Sequence, residues 1–357
     1  MSRAGLNRKT ALATATLVLA SEAPDLDILA YLRGPVVGFA HHRGFTHSFL
    51  GVPLVAAVVL ASIYGFHRLR SRVEPAPSGC PACPPAGASP ASVPRWGILY
   101  LYACLAGLSH ILLDFTNNYG VRPFWPFSER WYSWDIVFIF EPLLYVFLLS
   151  GLLLPALFGL IQEEIGVRRR GPRGRGAAIT ALVLMVALWG LRDFEHRRAL
   201  AALDARLYHG AEPLRISAYP YYLNPFRWSG VVETEGFFEV LPVDSLTPDV
   251  DPQRRAVTRF KPEETPVTLA AKESYLGRVY LDWAQYPVVE SEQIEGPDPG
   301  YMVHFYDLRY AYPELRGARL GARVRLDKDL NVVAYWFGPR AQRPDLLPPS
   351  SANGRGR

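Results

Sequence analysis

Four stretches of this chain are too long and too apolar to face water, and they restrict the folds open to it. Ser48 to Phe66, Trp96 to Leu113 and Ala177 to Leu191 contain no Asp, Glu, Lys or Arg, and Ile136 to Ile161 contains one acid, Glu141. About 20 apolar residues in a helix cross the hydrocarbon core of a bilayer. Inside that core every backbone N–H and C=O must be bonded within the protein, which favours the helix for such runs. A fifth run, Thr10 to Ala23, is shorter and is expected to be tilted or re-entrant. It meets Glu22 and Asp25 with no evident cleavage site, so it does not read as a signal peptide. The expected fold is an α-helical polytopic membrane domain with about five membrane-embedded helices, followed by a small β-rich soluble domain.

The change of character comes after Leu191, where the chain turns charged, proline-punctuated and rich in Tyr and Trp. The expected organisation is a membrane-embedded domain at residues 1–192, a juxtamembrane helix at 193–209, a β-rich extracytoplasmic domain at 210–340 and a flexible tail at 341–357. Leu200, Leu203 and Leu207 give the juxtamembrane helix an apolar face. Short β-like runs follow at Val231–Val240, Arg278–Trp283, Tyr301–Tyr306, Ala322–Leu326 and Val332–Phe337. The last two flank Asp327–Asn331, a hairpin loop by composition. Residues 73–95 are dense in Pro, Ala, Ser and Gly and are expected to form a disordered linker. Cys80 and Cys83 lie in it; without a second pair they read as incidental thiols rather than half of a zinc site. Three cysteines in all do not make a disulfide framework.

The formal charge of +5 sits in clusters beside the apolar runs and is not interleaved with aromatic residues along a face. That pattern suits membrane topology and argues against a nucleic-acid surface. Arg3, Arg8, Lys9, Arg68, Arg70, Arg72, Arg95, Arg168, Arg169, Arg170, Arg173 and Arg175 fall in connections on one side of the spans. Only Arg33, Arg43, Arg122 and Arg130 fall on the other. The positive-inside rule places the first set in the cytoplasm. The expected location is the cytoplasmic (inner) membrane, with the C-terminal domain outside the cytoplasm and membrane lipids as the immediate partners.

Three polar knots then share the extracytoplasmic end of the spans: Pro24-Asp25-Leu26-Asp27, His42-Arg43-Gly44-Phe45-Thr46-His47-Ser48, and Ser109-His110-Ile111-Leu112-Leu113-Asp114. Ionisable groups at membrane depth are costly unless paired, so each is a functional candidate. His110 and Asp114 are four apart, which sets them one turn apart on one helix face. We expect Asp25, Asp27, His42, His47, His110 and Asp114 to hold a divalent metal ion, with zinc, manganese and iron suited to imidazole and carboxylate ligands. Arg43 and His42 are the candidate catalytic residues. Thr46, Ser48, Asn117 and Glu141 are expected to support the ligands by hydrogen bonds. Blander readings stand beside these. A lone histidine can sit at headgroup level, His110 with Asp114 can tie two helices, Asp25 and Asp27 can cap a helix, and Glu141-Pro142 can begin a kinked one.

At these residues the chain resembles the YdjM-type family of membrane-bound metal-dependent hydrolases. The resemblance is carried by Ala23 to Asp27, by His42 to Ser48, and by Ser109 to Asp114 leading into Asn117-Asn118-Tyr119-Gly120 and Arg122-Pro123-Phe124. A further family-like segment runs from Asp135 to Glu141-Pro142, where Asp-Pro is the usual form. Together these cover about residues 5–160; the His-Arg-Gly-x-Thr-His-Ser run is the most specific. The resemblance implies a multi-helix inner-membrane protein, a divalent-metal hydrolase and the ligand set above. The family pattern opens with a Thr-His pair upstream of where this sequence joins it. This polypeptide is therefore expected to carry one ligand fewer, unless its start lies further upstream.

The expected function is a membrane-bound metal-dependent hydrolase acting on phospholipid or another phosphoester at the outer face of the cytoplasmic membrane. The rival is a non-catalytic protein in which the metal is a structural clasp. The β-rich domain would then bind an envelope protein through aromatics such as Tyr219, Tyr221, Tyr222 and Trp228.

Overall fold

The computed structural model describes residues 1–73, 93–164, 174–247, 249–251, 254–312, 320–339 and 341–344. The 74–92 part of the expected linker, with Cys80 and Cys83, lies outside the described residues. So do Arg168, Arg169, Arg170, Arg173 and the tail from residue 345. The chain divides into two compact units. One comprises Met1–Leu26 with Arg43–Asp193, and the other Asp27–His42 with Phe194–Arg357.

The first unit is helical. It holds α1 (Ala13–Glu22), α3 (Gly51–Val73), α4 (Trp96–Thr116), α5 (Pro142–Glu164) and the first part of α6 (Arg175–Asp204). Among the described residues α3, α4, α5 and α6 are long and apolar enough to cross a membrane. At 1.5 Å per residue the 10 residues of α1 reach only about 15 Å, half a bilayer core. α1 compensates by packing: Ala13, Leu17 and Ala20 bury against Ala56 of α3 and Leu99, Tyr102, Ala103 and Ala106 of α4. Small residues let helix backbones approach, which is how helices associate where lipid removes the hydrophobic driving force. At Gly107 even a methyl group would meet Val52 Cγ1 at 3.3 Å.

Between α4 and α5 the chain stays bonded to the end of α4. Trp134 N donates to Phe115 O at 2.7 Å, and Ile136 N and Val137 N donate to Thr116 O. Pro142 opens α5, its fixed φ suiting the first helical position. Before it, Glu141 forms a 2.5 Å ion pair with Arg192 of α6, and both side chains are almost wholly buried. This pair joins α5 to α6, and Gly151 against Ala177 and Ala181 lets the two helices close further along.

The second unit contains α2 (Pro35–His41), the end of α6, α7 (Pro266–Glu273), α8 (Tyr275–Trp283) and two antiparallel sheets. The first sheet runs β1 (Arg215–Pro220), β2 (Arg227–Glu233), β3 (Phe237–Asp244), β4 (Asp249–Val250), with β5 (Val257–Phe260) also on β3. The second runs β10 (Ala341–Gln342), β9 (Val332–Phe337), β8 (Gly321–Asp327), β7 (Gly300–Asp307), β6 (Pro287–Ile294). Tyr219, Val231, Phe238 and Val240 of the first sheet bury against Tyr286, Val288, Tyr306 and Leu308. The opposite face of the first sheet covers Ala199 and Leu203 of α6 through Ala218, Trp228, Val232, Leu241 and Val243. Both faces are therefore covered, and β2 and β3 are buried along almost their whole length.

Several expectations change in detail. Val231–Val240 is two strands joined by a turn. Arg278–Trp283 is helix, not strand: the Ser274 hydroxyl accepts from Gly277 N, and Leu276, Tyr280 and Trp283 fall on one buried face. The span and the juxtamembrane helix are one continuous α6, with no proline between them. Tyr219, Tyr221 and Trp228 are buried and only Tyr222 is exposed, so these four do not make an aromatic surface. The loop at Asp327–Asn331 is a hairpin, its Asp327 carboxylate accepting from the N–H groups of Asp329 and Asn331.

Removing one member of a buried ion pair strands the other charge, at a cost of about 3–5 kcal/mol. Glu141→Ala is expected to lower stability by about that much, read as a fall in unfolding temperature in detergent. Combining it with Arg192→Leu should recover part of the loss.

Candidate metal centre

Four donors from three segments of the first unit converge. Asp25 lies three residues beyond α1, His47 four before α3, and His110 and Asp114 in the last two turns of α4. One ligand atom from each lies within 4.8 Å of the other three. His47 reaches the group because residues 45–47 form a short 3-10 turn folded back on α3. A Cβ on Gly51 would stand only 1.8 Å from Phe45 O, so this approach requires glycine. Ser48 secures the turn, its hydroxyl donating to Phe45 O and accepting from Gly51 N.

The donors alternate between imidazole and carboxylate and form a ring. His47 Nε2 is 3.4 Å from Asp25 Oδ1 and 3.3 Å from Asp114 Oδ2. His110 Nε2 is 3.4 Å from each of the same two oxygens. These separations exceed those of charge-assisted hydrogen bonds, about 2.7–2.9 Å. They match the spacing of ligands around a tetrahedral ion, about 3.3–3.5 Å for metal–ligand bonds near 2.0–2.1 Å. His110 Nε2 and Asp114 Oδ2 are buried and make no hydrogen bond. Two imidazole nitrogens and two carboxylate oxygens aimed into one small space fit a divalent ion of the zinc, manganese or iron class.

The surroundings fix the donors. Thr46 Oγ1 lies 3.1 Å from His47 Nδ1, leaving Nε2 to face the group. Arg43 Nη2 donates to Asp114 Oδ1 at 2.7 Å, which directs Oδ2 to the imidazoles. Arg43 Nη1 donates to Gly120 O at 3.0 Å and Asn117 Oδ1 at 3.3 Å, and its guanidinium lies over the Tyr119 ring at 4.8 Å. Arg43 has φ +53°, a conformation costly for a residue with a Cβ and typical of functional positions. His47 is wholly buried, while the Asp25 side chain is half exposed, so the group opens to its surroundings on the Asp25 side. The His110 and His47 imidazoles beside it hold the Asp25 carboxyl well below the usual carboxylate range.

Of the six expected ligands, the structure brings Asp25, His47, His110 and Asp114 together. Asp27 and His42 form a pair of their own in the second unit, with His42 Nδ1 3.3 Å from Asp27 Oδ1. Of the four supporting residues, Thr46 touches a ligand and Asn117 reaches the group through Arg43; Ser48 holds the turn and Glu141 pairs with Arg192. Tyr119 and Gly120, named above only as part of a motif, meet Arg43. The signal is their place in Asn117-Asn118-Tyr119-Gly120, just after the polar knot Ser109–Asp114.

Four apolar spans and a two-histidine, two-aspartate group near the ends of α1, α3 and α4 define a polytopic membrane protein with a metal-type donor cluster. The sequence profile of the YdjM inner membrane protein family matches residues 1–199. The chain belongs to that family. It is also 26% identical over 323 residues to the uncharacterized protein YfhP of Bacillus subtilis (strain 168), an alignment covering 89% of this chain and 83% of YfhP. That similarity continues past the family match into the β-rich unit. No solved structure matches the chain.

Lysine cannot offer the planar fork with which Arg43 serves three acceptors. Arg43→Lys is expected to weaken metal binding about tenfold, measured by competition with a chelator. Asp25 carries a depressed folded pKa, so its ionisation stabilises the metal-free fold above the unfolded value of about 4. That contribution is lost as the pH falls through the folded value. Asp25→Asn should flatten the acid limb of the metal-free protein's stability profile.

Proposed function

We propose that this protein is a membrane-bound metal-dependent hydrolase acting on a phosphoester presented at the membrane surface, phospholipid being the candidate substrate. The observation that carries the reading is the convergence of the four donors at separations longer than charge-assisted hydrogen bonds and suited to an ion. A divalent ion held by Asp25, His47, His110 and Asp114 would supply Lewis acidity toward water and toward a phosphoester oxygen. The chain's own groups support that chemistry. Arg43 holds Asp114 in one orientation and brings a fixed positive charge beside a centre where negative charge develops. Thr46 orients the buried His47 ring. The half-exposed side at Asp25 is the open approach for substrate and water.

The position of the group supports a membrane-associated substrate. All four donors lie within about two turns of a helix end, in the first unit, which also holds α3, α4, α5 and the first part of α6. The distribution of Lys and Arg favours the extracytoplasmic side for that end, with the β-rich unit on the same side.

The test uses the protein purified in detergent with bis(p-nitrophenyl) phosphate as the reporter. Wild type is expected to bind a divalent ion and to hydrolyse the reporter. His47→Ala should lose the ion and at least about 100-fold in kcat/KM while retaining its helical circular dichroism. Ion loss accompanied by collapse of the fold, with no hydrolysis by wild type under any metal, favours the structural clasp instead.

A further inference from the structure

We propose that residues 27–42 form a strap anchored by the C-terminal unit, and that Asp27, His42 and Phe39 are positioning residues for the metal centre. The proposal rests on reading Asp25, His47, His110 and Asp114 as that centre.

The chain leaves the first unit after Leu26 and returns to it at Arg43. Asp25 stands two residues before one foot of this excursion. Arg43, which orients Asp114, follows the other foot directly, and His47 comes four residues later. Two donors and the residue that aims a third thus depend on where the two feet are held. The side chains at the feet meet each other, with His42 Nδ1 3.3 Å from Asp27 Oδ1. The two residues expected to be ligands instead close the loop that carries ligands at both ends.

The middle of the strap is seated among residues of the second unit that are distant in sequence. Phe39 is 2% exposed. It stacks on Phe337 at a centroid distance of 4.1 Å and meets Trp283 edge-on at 5.4 Å. Gln342, itself buried, accepts from Val36 N at 3.1 Å. Its amide nitrogen also donates to Arg33 O. The fit is close: Gly34 has φ +117°, and a Cβ there would stand 2.2 Å from Gln342 Nε2. Without these anchors, the segment joining Asp25 to His47 would be a long loop whose closure opposes bringing the two donors together. Holding its feet and its middle removes much of that freedom before an ion binds, which is preorganisation of the ligand set. It gives the C-terminal unit a role at the centre without requiring it to supply a ligand.

The test is Co2+ binding to full-length protein in detergent micelles, followed by the visible d–d absorption of the ion and by chelator competition. Wild type, His47→Ala, Asp27→Asn, Phe39→Ala and Phe39→Leu are compared. Wild type is expected to bind Co2+ and His47→Ala to lose it. Asp27→Asn and Phe39→Ala should each raise the Co2+ Kd about tenfold or more, in the range seen when residues that support ligands are changed, with shifted bands. Phe39→Leu, which fills most of the space, should return toward wild type. Folding is followed by circular dichroism; if Phe39→Ala does not fold, Asp27→Asn decides. Wild-type affinity and bands in both folded variants overturn the strap while leaving the metal centre standing. Loss of Co2+ in Asp27→Asn as complete as in His47→Ala, with Phe39→Ala unaffected, makes Asp27 a ligand and also overturns it. Wild type that takes up no Co2+ defeats the metal reading, and the strap's role with it.

Discussion

The two oxygens of Asp114 do different work, and the N-terminal unit is arranged around that division. A carboxylate in the last turn of a membrane helix is costly unless each oxygen is engaged. Arg43 takes one, and the other faces His47 and His110. For that to happen, the 43–47 segment must lie against the end of α4. Two features of the chain allow it. Gly51 lets the 45–47 turn fold onto the start of α3, and the alanines of α1 and α4 let the helix that delivers Asp25 pack closely. The loop after α4 completes the arrangement, since Asn117 and Gly120 supply the remaining acceptors of Arg43.

The C-terminal unit has its own reasons for folding. Its first sheet is covered on both faces, by the second sheet's side of the core and by the end of α6. Trp228, Trp283, Tyr219 and Tyr280 are wholly or almost wholly buried, which accounts for the richness of this region in large aromatics. These rings fill a core and do not make a binding surface. The same unit takes in α2, a short helix from the N-terminal third of the chain, through Phe39. The two compact units are therefore interleaved in sequence, with the crossing points next to residues of the donor group.

Much of the membrane part was legible from residue patterns. The spans follow from uninterrupted apolar runs, and the i, i+4 spacing of His110 and Asp114 follows from helix periodicity. The β-rich character of the C-terminal region was also visible, together with the Asp327–Asn331 hairpin. Other features were not legible, for identifiable reasons. Arg278–Trp283 is a short run rich in large apolar residues, and a window that short does not separate strand from helix until the Ser274 cap is recognised. The aromatics of β1 and β2 looked exposed because nothing in a local window reveals that a sheet is covered on both faces. Asp27 and His42 sit in the same motifs as Asp25 and His47, so composition and spacing could not distinguish the two pairs.

The sequence by itself determined the medium and the chemistry. Uncharged runs of bilayer length require helices in lipid, and acids and imidazoles placed at their ends require one another or an ion. Tertiary structure decided which of those groups meet. That outcome depends on close contacts, some local, as Gly51 under Phe45, and some between distant segments, as Gly107 beside Val52 and Phe39 on Phe337. Such contacts are set by shape and by chain crossings that no local periodicity encodes.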